Sequence, residues 1–85
     1  MEDVSTISNL LIKCENYLNG NNIYTPKEII EEATDILAGV VGLMQIWEKC
    51  VFHINNWENK MIEEQCEDAD SLVEELSGYI AEWLE

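Results

Sequence analysis

The sequence predicts an all-α fold, a small antiparallel bundle of three or four helices. Two observations carry this prediction. Thr25-Pro26-Lys27-Glu28 is a strong helix start, and apolar residues then recur at steps of mostly three and four, the spacing that a helix requires. The chain contains one proline, Pro26, so no later proline interrupts the pattern.

The helix start can form a capping box. The Thr25 hydroxyl can accept a hydrogen bond from the Glu28 amide, while the Glu28 carboxylate reaches back to the Thr25 amide. Pro26 occupies the first helical position, where an amide hydrogen has no partner within the helix. A helix is therefore expected to begin at Pro26.

From this start, one helical pattern predicts a long central helix over about 26–65. The apolar positions of the pattern are Ile29, Ala33, Ile36, Leu37, Val40, Met44, Trp47, Cys50, Ile54, Trp57 and Met61. An unbroken helix of this length would measure about 60 Å, roughly twice the width of a compact domain of 85 residues. Either the helix is kinked or broken near Gly39–Gly42 and four helices form a bundle, or two chains pair as a homodimer.

The segment from Ile36 to Trp47 is apolar on almost every side, broken only by Gly39, Gly42 and Gln45. A helix that is apolar all round is buried all round. This segment is therefore expected at the centre of the bundle or of a dimer.

Shorter helices are predicted on both sides of the central one. Asp3 or Ser5 can cap a first helix, and Asn19-Gly20-Asn21-Asn22 ends it, because glycine and asparagine tolerate the left-handed conformation. The apolar positions of this helix are Val4, Ile7, Leu11, Cys14 and Leu18. Ser71 and Glu74 could form a second capping box, which places a boundary between Glu67 and Ser71. The last helix then buries Leu72, Val73, Leu76, Tyr79, Ile80, Trp83 and Leu84.

Length and composition favour one helical domain over residues 1–85. The protein is expected to be intracellular, in the cytoplasm, or in the host cytoplasm if it is viral. No apolar run approaches the roughly 20 residues of a membrane span, and the first residues lack the basic region of a signal peptide. Cys14, Cys50 and Cys66 are odd in number and widely spaced, which is typical of a reducing compartment. Cys14 and Cys50 fall on apolar faces and are expected in the core.

The charge is the strongest compositional signal. There are 18 acidic residues against four lysines, with no arginine, and the net charge is −14. Such a surface repels nucleic acid and anionic membranes and attracts basic surfaces. Direct binding to DNA, RNA or membranes is therefore not expected.

A carboxylate-rich helical face is the candidate binding site. A helix holds carboxylates about 5 to 6 Å apart, an arrangement that a basic groove could accept in place of phosphates. The predicted partner-binding residues are Glu63, Glu64, Glu67, Asp68, Asp70, Glu74 and Glu75. The predicted function is non-enzymatic binding and inhibition of a basic protein, such as a nuclease or polymerase. Phage or mobile-element inhibitors and immunity proteins of nuclease toxins follow this logic.

Three alternatives remain open. The chain could be a structural or adaptor bundle that pairs with itself or a partner through apolar faces, while its charge provides solubility. Acid pairs such as Glu64-x-x-Glu67 are similar in spacing to those with which all-helical nucleotide pyrophosphatases hold magnesium. Cys50-x-x-His53 with Cys14 and Cys66 could hold zinc. Acid-rich chains produce such spacings by chance, so we expect no metal, no cofactor and no catalytic residues.

Trp47, Trp57 and Trp83 have two interpretations. Tryptophan is enriched at binding hot spots, yet in a small bundle it is more often a core residue. We expect the three indoles mainly in the core.

Overall fold

The computed structural model describes residues 4–21 and 23–85, and within these residues it contains four α-helices and no strand. The helices are α1 (Val4–Leu18), α2 (Pro26–Ile36), α3 (Met44–Trp57) and α4 (Ile62–Leu84). The all-α bundle is confirmed. No helix among the described residues is both long and apolar enough to cross a membrane.

Consecutive helices run antiparallel. Between α3 and α4, Lys49 pairs with Glu75 and His53 lies near Asp68, so residue numbers rise along one helix as they fall along the other. By contrast, α2 and α4 run parallel, since the Lys27 ammonium near the start of α2 bonds to Gln65 near the start of α4 at 2.8 Å. Helix α4 packs against all three other helices, whereas in the described part of the chain the Cα atoms of α1 and α3 do not approach within 8 Å of each other.

The central helix predicted over about 26–65 is broken at two places, 37–43 and 58–61. Its residues are divided among α2, α3 and the first turn of α4. The longest dimension of the molecule is 35 Å, which a 60 Å rod would exceed. The helix on which the others pack is α4.

The first break does lie around Gly39 and Gly42, one of the two arrangements that the sequence left open. Both glycines have positive φ, 80° and 93°, a region that disfavours residues with a Cβ. A Cβ on Gly42 would also lie 2.9 Å from Cδ1 of Trp83. The close approach of the Trp83 ring and the left-handed backbone together explain why the chain turns here.

The segment Ile36–Trp47 consists of the last residue of α2, a connection over 37–43 and the first turn of α3, so the expectation of one helix buried on every side was wrong. Leu37, Val40 and Leu43 recur every three residues and all point into the core. Val41 is 85% exposed, because the turns at 37–43 alternate their side chains between core and solvent. An apolar run was mistaken for a helix that is buried on every side.

The boundary predicted between Glu67 and Ser71 does not exist. Helix α4 begins at Ile62 and continues through Ser71, which is exposed in mid-helix. The true turn is closed by Gln65, whose side-chain amide donates to the carbonyls of Trp57 and Lys60 at 2.6 and 2.8 Å. Ala69 is fully buried and extends the apolar face of α4 back past the predicted boundary.

The predicted signals at the start of α2 and the end of α1 are confirmed. Thr25 and Glu28 form both bonds of the capping box, with Pro26 in the first turn. Gly20 has φ 93°, and the amide of Asn21 donates to the carbonyl of Asn16 at 2.9 Å. This is the Schellman end of a helix. Ser5 lies inside α1, while Asp3 and Asn22 fall outside the described residues.

One hydrophobic core joins the four helices. Its fully buried members include Ile7, Leu10 and Cys14 from α1, Ile30 and Ala33 from α2, Ile46 and Cys50 from α3, and Val73, Leu76 and Ile80 from α4. Val4 and Leu18, at the ends of the predicted α1 stripe, are exposed instead, and Tyr79 is also partly exposed. The core therefore covers one face of α4 and leaves the opposite face to solvent.

Candidate functional site

All seven predicted partner-binding carboxylates lie on α4, outside its buried face. Asp68 is half-buried and the other six are exposed. Helical spacing divides them into two rows. We call Glu63, Glu67, Asp70 and Glu74 the acidic stripe, and Glu64, Asp68 and Glu75 the paired row.

The acidic stripe is a continuous line of carboxylates. Its members follow one another at steps of four, three and four residues, which places their Cβ atoms about 5 to 6 Å apart. From Glu63 to Glu74 the stripe extends about 16 Å along the helix axis. No ion pair joins it to a lysine within the described residues. Its charge is therefore not neutralised by the protein itself.

The paired row faces α3 and is mostly neutralised. The Lys60 ammonium lies 2.7 Å from Oδ2 of Asp68, and the Lys49 ammonium lies 2.8 Å from Oε2 of Glu75. His53 Nδ1 lies 3.7 Å from the same Asp68 oxygen. These contacts tie α4 to α3 and to the turn between the two helices. Asp68 and Glu75, predicted to meet a partner, are thus used for internal ion pairs.

The environment of Asp68 favours its charged form. The hydrogen bond from Lys60 is the largest cause that lowers its pKa from the ordinary value of 3.8, and burial opposes this effect. The charge of Lys60 and the nearby His53 lower the pKa of Asp68 further. Asp68 is therefore an ionised structural carboxylate at neutral pH.

One residue of the acidic stripe has a neutral partner. The Tyr17 hydroxyl, on α1, donates a hydrogen bond to Oδ1 of Asp70 at 2.9 Å. Burial and this bond both raise the pKa of Tyr17, so the phenol stays protonated. The bond fixes the Asp70 carboxylate in place without cancelling its charge. Tyr17 was missed in the sequence because only the α1–α4 packing brings it to Asp70.

Glu15 also lies beside α4. It lines a shallow groove of about 330 Å³ between α1 and α4, opposite Ser77, Gly78 and Ala81. Glu15 is exposed and adds a carboxylate from a second helix near the C-terminal end of the stripe. No sequence signal could have placed it there.

The helix dipole explains only part of this charge. Glu63 and Glu64 lie in the first turn of α4, where carboxylates stabilise a helix. Glu67, Asp70 and Glu74 lie further along, and each has a like-charged neighbour three or four residues away. Such neighbours destabilise a helix by roughly 0.2 to 0.5 kcal/mol per pair. The middle of the stripe therefore weakens the isolated helix.

All four lysines of the chain are held by contacts elsewhere. Besides Lys49 and Lys60, Lys13 makes an ion pair with Glu32 at 2.7 Å. Lys27 bonds to Gln65 and lies 5.8 Å from the centre of the Trp57 ring. No lysine is placed to neutralise the stripe.

The groove between α3 and α4 has a volume of about 420 Å³ and contains His53, Asp68, Ser71 and Glu75. No hydrogen bond joins Ser71 to His53 in the described part of the chain. The groove contains three residues that form ion pairs across it or beside it, His53, Asp68 and Glu75.

The cysteines divide into two buried thiols and one exposed thiol. Cys14 and Cys50 are fully buried, as expected, and burial raises the pKa of each thiol to about 12. Cys66 is exposed on α4. No group of three or more His, Cys, Asp or Glu side chains in residues 4–21 and 23–85 is arranged to hold a metal ion. Among these residues the zinc set Cys14, Cys50, His53 and Cys66 considered from the sequence is therefore not assembled.

The three tryptophans pack mainly against the core. Trp57 is buried, while Trp47 and Trp83 are partly buried. The indole N–H groups of Trp47 and Trp83 donate to the backbone carbonyls of Thr34 and Val41 at 2.8 and 2.9 Å. Both bonds fasten the α2–α3 connection and its neighbouring turns. These indoles are structural.

Exposed apolar residues gather at the end of the bundle where α2 and α4 begin. Ile23 is 71% exposed, Met61 is 70% exposed and Ile62 is 73% exposed, and Tyr24 is partly exposed. Parallel α2 and α4 place the residues that precede or open each helix at the same end. We call Ile23, Tyr24, Met61 and Ile62 the apolar end patch.

Comparison of the chain with protein-family models, with curated proteins and with solved structures found no match in any of the three. The site must therefore be interpreted from its own geometry.

Proposed function

We propose that this chain is a non-enzymatic protein that binds and inhibits a basic protein, one that handles nucleic acid, through the acidic stripe of α4. The observation that carries the proposal is the separation of the two rows. Asp68 and Glu75 have lysine partners, whereas Glu63, Glu67, Asp70 and Glu74 have none among the described residues.

A basic partner would also account for the destabilising charge of the acidic stripe. A helix that needed acids only for solubility could distribute them among lysines, yet the stripe places four carboxylates in one line. A basic groove would offset their repulsion by placing lysine or arginine beside each one. The resulting binding free energy would compensate for the loss of helix stability.

The net charge of −14 supports the same function through kinetics. A strongly negative surface raises the rate of encounter with a basic partner, and salt reduces this effect. An acidic stripe about 16 Å long could occupy several phosphate-binding positions of a nucleic-acid groove at once. Nucleic acid and this protein would then exclude each other from the groove.

The test begins with three forms of the protein used as bait in a cell lysate. One is the wild type, one carries Glu67→Gln and Glu74→Gln in the stripe, and one carries Glu48→Gln and Glu82→Gln. The last two lose the same charge from different surfaces, since Glu48 and Glu82 are exposed outside the stripe. We expect the wild type and the Glu48/Glu82 variant to capture a basic nucleic-acid-binding protein that salt releases. The stripe variant should capture much less of it.

The captured protein is then assayed for binding to its nucleic acid. Addition of the wild type should reduce that binding in proportion to its concentration, and the stripe variant should not. Simultaneous binding of nucleic acid and wild-type protein would refute the inhibitor function. Equal capture by all three baits would show that the stripe has no special role.

A second candidate function is supported by the apolar end patch. Three side chains that are at least 70% exposed at one end of an 85-residue bundle are suited to an adaptor that binds through apolar contact. Such a partner would remain bound at high salt. Capture that resists salt and is lost on Met61→Ser and Ile62→Ser would favour the adaptor.

A further inference from the structure

The apolar end patch and the acidic stripe are parts of one surface. Ile62 and Glu63 are neighbours in the first turn of α4, so the patch lies where the stripe begins. Cys66, one turn after Ile62, lines a shallow cavity of about 360 Å³ with Tyr17, Tyr24 and Pro26. The cavity and the stripe are linked through Tyr17, whose hydroxyl bonds to Asp70.

The surroundings of the patch are negative. Glu58, Glu63 and Glu64 are exposed and lie within three residues of Met61 in the chain. The nearby Lys60 is held by Asp68 at 2.7 Å and so does not offset them. A second copy of the chain also carries a net charge of −14, so the two copies repel each other.

From this geometry we propose that the patch receives an apolar side chain of the basic partner, flanked by lysine or arginine residues that continue along the acidic stripe. The inference rests on the proposed function and gives the partner segment a direction. Its apolar residue lies at the start of α4, and its basic residues lie towards Glu74. The stripe attracts the segment, while the patch and cavity fix its register.

Three short fluorescent peptides of equal length test this inference. The anchored peptide has leucine at one end of a lysine and serine sequence. The plain basic peptide has serine in place of leucine, and the acidic peptide has leucine with glutamate in place of lysine. Affinity is measured by fluorescence anisotropy at low salt.

The wild type should bind the anchored peptide about tenfold more tightly than the plain basic peptide, since burial of one leucine contributes on the order of a tenfold change. The acidic peptide should not bind. Met61→Ser with Ile62→Ser should remove the tenfold preference and leave the affinity for the plain basic peptide unchanged. Ile23→Ser is a second patch variant and should reduce the preference.

Phe52→Ser is the matched control. Phe52 is 64% exposed on α3, and its replacement removes a similar apolar group away from the patch. This variant should keep the preference, and circular dichroism should show the same helix content in every variant. Equal affinity of the wild type for both basic peptides would overturn the inference. An equal loss of affinity for both peptides in the Met61/Ile62 variant would also overturn it.

Two other results are distinguishable. If the wild type sediments as a dimer that Met61→Ser and Ile62→Ser dissociate, a second copy covers the patch and the inference is wrong. If the plain basic peptide has the same affinity for the wild type and for the Glu67/Glu74 variant, the stripe does not bind basic residues and the proposed function is wrong.

Discussion

The Asp68 carboxylate accepts a hydrogen bond from the Lys60 ammonium at 2.7 Å, across the turn that joins α3 to α4. This bond uses one of only four lysines in a chain with 18 acidic residues. It stabilises the start of α4, and it leaves the acidic stripe without a lysine partner. The same short turn thus fixes the bundle and exposes the acidic stripe.

Replacement Asp68→Asn should lower the free energy of unfolding at pH 7. The folded pKa of Asp68 lies below 3.8, so its ion pair stabilises the fold above that pH and is lost as the pH falls through the folded pKa. The difference between variant and wild type should therefore shrink below pH 3.8. Urea unfolding at a series of pH values measures it. Glu82→Gln, which removes a charge but no ion pair with a described residue, should show no comparable loss at pH 7.

Replacement Gly42→Ala should destabilise the bundle by about 2 to 3 kcal/mol. The left-handed backbone costs an alanine about 1 to 2 kcal/mol, and overlap with the Trp83 ring adds to this. Unfolding in urea, followed by tryptophan fluorescence, measures the change. A loss below about 0.5 kcal/mol would mean that the α2–α3 connection does not need this geometry.

Two other glycines serve as controls for Gly42. Gly39 has φ 80° but open space around its Cα, so Gly39→Ala should cost only the backbone strain, about 1 kcal/mol. Gly78 lies inside α4 with nothing within 4 Å of an added Cβ, and Gly78→Ala should stabilise the protein by about 0.5 to 1 kcal/mol. Any other order of the three variants would contradict the packing described here.

Thiol labelling should separate Cys66 from the other two cysteines. Cys14 and Cys50 are fully buried with pKa values of about 12, so they are neither accessible nor ionised at pH 8. An aromatic disulfide reagent should modify one thiol per folded chain quickly and three in urea. In Cys66→Ser the fast reaction should vanish. Rapid labelling of two thiols in the folded wild type would show that the core opens easily.

The acidic stripe should be unfavourable for stability. Glu67→Gln with Glu74→Gln removes like-charge neighbours on α4, each of which costs roughly 0.2 to 0.5 kcal/mol. The variant should therefore be at least as stable as the wild type in urea, although it binds the basic partner poorly. If it were less stable by more than 1 kcal/mol, the carboxylates would support the fold, and no partner would be needed to explain them.

Helix content was predictable because its signals are local. Thr25 and Glu28 form a capping box within four consecutive residues. Gly20 adopts the left-handed backbone conformation at which α1 ends. The buried residues of α4 repeat at helical spacing whatever the helix packs against. Such features depend on short-range geometry, which the sequence displays directly.

Helix boundaries without local markers were not predictable. The turn at 58–61 contains no glycine or proline, and a side chain beyond it, Gln65, closes it by donating hydrogen bonds to the carbonyls of Trp57 and Lys60. Ser71 resembled a cap but lies in mid-helix, because the core contact of Ala69 continues the helix through it. Tertiary packing decided both positions.

The candidate site was predicted as a set of residues but not as an arrangement. Six of its seven carboxylates lie on exposed helical surface and Asp68 is half-buried, while their role in binding stays a prediction. Their division into a stripe and a paired row depends on where Lys49 and Lys60 lie, which only the α3–α4 packing determines. The hydroxyl of Tyr17 reaches Asp70 across 53 residues of sequence.

The most direct test of the acidic stripe is the dissociation constant of the captured basic partner as a function of salt, for the wild type, the Glu67/Glu74 variant and the Glu48/Glu82 variant. We predict that affinity for the wild type falls steeply with salt, that the stripe variant binds at least tenfold more weakly at low salt, and that the Glu48/Glu82 variant resembles the wild type. Equal affinity of the two variants, or binding indifferent to salt, would contradict the account.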